Sequence, residues 1–114
     1  MTESDFLALA DASLNTIEAA FDRAAASHHL HLSCRRSGRQ LEIDAPSARG
    51  AAILHMELRV DVGSQQIHVS ASAHEWQFRR VRDSWLEVTD GSELLATLLT
   101  LAGRHAGVAL TAAA

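Results

Sequence analysis

The 114-residue sequence has no lysine and no tyrosine, one cysteine, one proline and few aromatic residues (4%). A lone Cys34 rules out an intrachain disulfide and any cysteine-rich zinc site, and it fits a reducing cytoplasm. No run approaches the roughly 20 apolar residues of a membrane span, so no membrane role is expected. The opening Met1-Thr2-Glu3-Ser4-Asp5 is acidic, the opposite of a basic leader segment before an apolar core. All ten basic residues are arginines and the net charge is −4, which argues against nucleic acid and favours cations or basic protein surfaces as partners. Phosphate-cradling glycine loops are absent, and no serine sits at a strained nucleophile turn with a base, so no catalytic residue is assigned.

What is present is an ordinary globular balance, 47% apolar and 21% charged, with seven histidines. The length matches one domain over residues 1–114 that can bury about two-thirds of its surface unaided. From Phe6 to Ala24 apolar residues recur every three or four positions, predicting an amphipathic helix capped by Thr2 or Ser4, with Asp11, Glu18 and Asp22 on its opposite face. The period then drops to two. Leu30, Leu32 and Cys34 alternate with His29, His31 and Arg35, and Ser37-Gly38 marks a turn. Four further alternations follow around Leu41–Ala45, Leu54–Val60, Ile67–Ala71 and Trp76–Phe78, with a short sixth strand at Trp85–Val88. Asp90-Gly91-Ser92-Glu93 reads as an N-cap with a glutamate three residues on, opening a leucine-rich helix that fades at Gly103 or Gly107. The expected fold is α+β: a two-layer sandwich of helix, six-stranded antiparallel sheet and helix, both helices on the sheet's apolar face. The tail Ala112–Ala114 should fray.

That order of elements resembles the frataxin family, most closely its bacterial CyaY members. MTESDFLALADASLNTIEAAFD looks like the family's first helix, and SGRQLEI resembles its glycine turn and second strand. QQIHVSASAHEWQF fits its strands four and five, and WLEVTDGSELLATLLTLAGRHAG resembles its last strand, helix cap and terminal segment. The resemblance implies a frataxin-like α+β sandwich that is not an enzyme. Such a protein binds iron (Fe2+/Fe3+) weakly through exposed carboxylates and regulates iron–sulfur cluster assembly by docking on the cysteine desulfurase and the scaffold protein, as a monomer in the cytoplasm.

Carried over position by position, Asp11, Glu18 and Asp22 match the family's acidic ridge, and His29 and His31 stand where it has acids. Asp61 sits near a sheet-face asparagine and His68 occupies a sheet-face tryptophan position, marking a partner-binding surface, while His74-Glu75 replaces a Gly-Gly turn. Two histidines at i and i+2 on a strand share a face with Cα atoms roughly 6.5–7 Å apart, close enough to share one ion. With Asp22 as a third ligand, such a mixed set suits iron, Co2+ or Zn2+ better than calcium or magnesium. The competing reading makes them solvated residues of an edge strand. His55, Glu57 and His68 suggest a second patch, against a plain solvated sheet face. Cys34, Trp76 and Trp85 read as inward-facing packing residues. Two rivals remain: a small acidic secretion chaperone, a dimer with a helix between strands three and four that holds an unfolded effector, and an Fe(II) oxidase.

Overall fold

The computed structural model describes residues 1–47 and 50–111. Its elements run α1 (Glu3–His28), β1 (Ser33–Ser37), β2 (Gln40–Ser47), β3 (Gly50–Asp61), β4 (Gln66–Ala71), β5 (His74–Val81), β6 (Ser84–Glu87) and α2 (Leu94–Ala106). The six strands form one antiparallel meander in sequence order, and both helices lie on its apolar face. The two-layer α+β architecture expected from the alternation is therefore the one observed. The expectation of a frayed tail at residues 112–114 lies outside the described residues.

Helix α1 starts where Thr2 Oγ1 accepts the Asp5 amide at 3.1 Å, satisfying one free N–H of the first turn. Its buried stripe is Phe6, Ala10, Leu14, Ile17, Phe21 and Ala24. The helix does not dissolve after Ala24. Ala25 and Ala26 are strong helix formers and carry it to His28, and it ends at His29 in the left-handed region (φ 53°), with the His29 and Leu30 amides closing on the Ala25 carbonyl. Histidine is one of the few non-glycine types enriched there. The first strand consequently begins at Ser33, not at His29, and Leu30 and Leu32 reach the core from a connecting loop.

The sheet contributes Leu41, Ile43, Ala45, Met56, Leu58, Ile67, Val69 and Phe78 to the core. Trp85 stacks edge-on against Phe6 at 5.8 Å between ring centroids and donates its indole N–H to Ser13 Oγ at 2.6 Å, tying β6 to α1. Trp76 is half-buried against the same core, as is Cys34. Between β3 and β4 there is only a tight turn, closed by the Gln65 amide on the Val62 carbonyl, so the chaperone architecture with a helix at that point is excluded.

At α2 the cap differs from the expected one. Glu93 is itself the N-cap, its carboxylate accepting the Leu95 and Ala96 amides, while Asp90 turns back onto the Ser92 amide at 2.8 Å. The Leu86–Glu93 bridge fixes that choice by holding Glu93 against the end of β6. After α2 the chain folds back so closely that a side chain at Gly103 would lie 2.5 Å from the Val108 carbonyl oxygen. No described helix is long and apolar enough to cross a membrane.

Candidate functional site

Two surfaces carry the polar chemistry: the edge where α1 runs beside β1, and the open face of the sheet. At the edge, Asp11 is already engaged. The Arg36 guanidinium, projecting from β1 toward the helix, binds the Asp11 carboxylate, donates to Asn15 Oδ1 at 2.7 Å and to the Gly38 carbonyl at 2.9 Å. Glu18 is half-buried and Asp22 exposed. Their fields converge on Cys34: burial first, then the charges of Asp22, Glu18 and Asp44, push its thiol from 9.0 up to about 11. A thiol so held is protonated at neutral pH and is no nucleophile.

His29 and His31 are exposed but stand in the loop between α1 and β1, one of them in a left-handed conformation. The strand pairing that would have put both imidazoles on one face is absent, because the alanine-extended helix consumes the residues that strand would have needed. The structure thus gathers Glu18 and Asp22 near β1, locks Asp11 to Arg36, and leaves His29 and His31 as separate loop side chains.

On the open face, Asp61 and His68 do come together. His68 Nε2 lies 3.9 Å from Asp61 Oδ2 and 3.2 Å from Gln66 Oε1, and His68 pairs across the strands with Arg59. Asp61 accepts both the hydroxyl and the amide of Ser64; the hydroxyl foremost, with the amide, His68 and Arg59, holds its carboxyl below the usual 3.8 against the opposing effect of desolvation.

The register sets His68 opposite Arg59, diagonal to Glu57, and puts Glu42 directly opposite Glu57. Glu42 pairs with Glu57 and Asp44 with His55 across β2 and β3, all four facing away from the helices. Among the described residues, Glu42, His55 and Glu57 form a group of three metal-competent side chains whose donor atoms lie within 4.8 Å of one another. His55 Nδ1 meets Asp44 Oδ1 at 2.6 Å, its Nε2 lies 3.5 Å from Glu42 Oε1, and Gln40 donates to Glu57 Oε1 at 2.8 Å. Arg35 reaches Glu42 and Asp44 at 3.6 and 3.7 Å. Sequence reasoning missed Gln40, Glu42 and Asp44 here. Their only signal was outward alternation on β2, which does not say what lies opposite.

Comparison with known proteins gives a consistent result. Residues 1–108 match the model of the frataxin-like domain. The iron–sulfur cluster assembly protein CyaY of Janthinobacterium sp. is 32% identical over 108 residues, covering 95% of this chain and 93% of that protein. The protein of the same name from Cupriavidus necator is 32% identical over 111 residues, 97% and 96% of the two chains. Among solved structures, a frataxin from Psychromonas ingrahamii superposes over the whole of both chains with a TM-score of 0.81 at 13% identity, a likeness of fold.

Proposed function

The chain belongs to the frataxin family, which is assigned to iron–sulfur cluster assembly, and from that premise we propose that it serves this assembly as a regulator that works by contact and catalyses nothing. The observation that carries the reading is the match along nearly the whole chain to proteins named for that process. In this reading one frataxin-like domain acts as a cytoplasmic monomer and meets a cysteine desulfurase through the α1 edge, where Glu18 and Asp22 present negative charge to a basic surface. The scaffold protein meets the open sheet face around Asp61 and His68.

Iron is the cargo and is held weakly. The donors at the α1 edge are carboxylates and exposed imidazoles, and the nearby thiol stays protonated, a hard-to-borderline set suited to Fe(II) and Fe(III) and tolerant of Co(II) or Zn(II). Exposed carboxylates without a rigid cage favour transient binding, which suits passing an ion on. Asp11 contributes only by leaving Arg36, so Glu18 and Asp22 carry most of this role, and His29 and His31, exposed on the neighbouring loop, are supplementary donors.

Binding of the purified desulfurase, measured with and without Fe(II) for the natural protein and a Glu18→Gln/Asp22→Asn variant, tests the proposal. The expected result is saturable binding weakened about tenfold in the variant, the roughly 1.4 kcal/mol that two rim charges contribute to such a contact. Absence of binding under either condition would refute the docking role.

A further inference from the structure

We propose that Glu42, His55 and Glu57 on the open face of the sheet form a second metal site, for a first-row divalent transition ion, distinct from the α1 edge. The argument begins with the register. Glu42 and Glu57 are direct cross-strand partners on β2 and β3, an arrangement of like charges that opposes strand pairing unless a cation lies between them. Arg35 compensates Glu42 from the outer side at 3.6 Å and also serves Asp44, whereas the partner of Glu57 is the neutral amide of Gln40. Beside the two carboxylates stands the His55 imidazole.

The orientation of that imidazole is the second step. A carboxylate accepts a hydrogen bond only from a protonated ring nitrogen, so Asp44 Oδ1 at 2.6 Å assigns the proton of neutral His55 to Nδ1. The lone pair then lies on Nε2, the atom 3.5 Å from Glu42 Oε1. An Asp–His relay that fixes the tautomer and leaves the far nitrogen as donor is the outer-shell arrangement typical of metal-bound histidines. Gln40 does the corresponding work for Glu57, fixing one carboxylate oxygen and leaving the other available.

Spacing and chemistry agree. Donors around an ion with bonds near 2.1 Å sit about 3–3.5 Å apart. His55 and Glu42 already have that separation, and the donor atoms of the whole set lie within 4.8 Å of one another. All three ligands rise from paired strands inside a six-stranded sheet, a stiffer support than a loop. One imidazole and two carboxylates select Mn(II), Fe(II), Co(II) or Zn(II) over calcium or magnesium, and the solvent side leaves coordination positions for water or for a ligand from a docked protein. The proposal does not depend on desulfurase docking.

The test is a Co(II) titration followed by amide cross-peaks in proton–nitrogen spectra of the whole protein, which report folding and location together. Saturable paramagnetic broadening is expected at residues 41–44 and 54–58. His55→Gln and Glu57→Gln should each weaken it at least tenfold, and Asp44→Asn about tenfold through the relay. A Glu18→Gln/Asp22→Asn variant should leave it unchanged. Broadening confined to residues 11–31, binding that does not saturate below millimolar Co(II), or equal affinity in His55→Gln would each overturn the proposal.

Discussion

Cys34 offers a built-in reporter of the field at the α1 edge. Its thiol sits half-buried on β1, and burial followed by the charges of Asp22, Glu18 and Asp44 raises it from 9.0 to about 11. At about pH 8 a rise of that size lowers the thiolate fraction about a hundredfold. The more basic thiolate is intrinsically more reactive by a factor of about eight for a Brønsted slope near 0.45, so exchange with a neutral dipyridyl disulfide should run roughly tenfold slower than for an unperturbed thiol. Removing charge at Glu18→Gln/Asp22→Asn leaves the burial in place and should accelerate exchange by a few-fold. Fe(II) bound at those carboxylates should do the same without mutation. The linkage to stability has a definite sign: the folded pKa is the higher one, so the contribution is fully present below about pH 9 and is lost as pH rises toward 11. Partial exposure to solvent reduces it to about 1 kcal/mol or less for this half-buried group. Exchange as fast as a free small thiol, or a double variant reacting at the rate of the natural protein, would refute the electrostatic account.

Two further predictions concern single carboxylates. Glu87 is buried at the end of β6 and accepts the Thr89 amide, the Thr89 hydroxyl and the Asp90 amide at 2.9–3.0 Å, holding the turn into α2. Glu87→Ala leaves these donors without their acceptor and should cost about 2–3 kcal/mol in urea unfolding, whereas Glu87→Gln, which keeps one acceptor oxygen, should cost about 1; equal losses would show that packing rather than hydrogen bonding matters there. Asp61 is held below 3.8 chiefly by the Ser64 hydroxyl, so its contribution to stability is present above the unfolded value and disappears as pH falls through the folded one. Asp61→Asn should therefore flatten part of the acid limb of Tm against pH below about pH 4, and superimposable curves for the two proteins would contradict the assignment.

The strands were legible because each buries one face and wets the other, leaving an alternation that short turns at Gly38 and at Gly63-Ser64 could only join as a meander. The same signal misled at residues 29–32, where polar and apolar residues alternate without a strand. Alternation describes side-chain polarity and is silent on whether the preceding alanines have already extended the helix, which is what relocates His29 and His31. At α2, Asp90 and Glu93 are both competent caps, and a contact with β6 decides between them. The patch around His55 failed in a different way. Its members were visible one by one, but a side chain's neighbour across the sheet depends on register, so Glu42 replaces His68 as the third member and Asp44 supplies the orienting bond.

The arginines near these two acidic surfaces bear on how each would hold a cation. Arg36 engages Asp11 at the α1 edge, and Arg35 lies against Glu42 and Asp44 beside the sheet-face cluster. An ion must displace or neutralise part of each pairing to bind. The Arg35 pairs are exposed, and pairs of that kind contribute about 0–1 kcal/mol, so its guanidinium lowers cation affinity by about fivefold at most and does not abolish it. The Arg36 side chain is only 19% exposed and has two further partners, Asn15 and Gly38, so it releases Asp11 less readily than Arg35, 63% exposed, releases Glu42. Competition is therefore weaker at the sheet face than at Asp11, even though the ridge of family resemblance runs along the helix. Divalent ions should fill the Glu42–His55–Glu57 cluster before they recruit Asp11, an order that follows from the guanidinium contacts and not from a count of carboxylates.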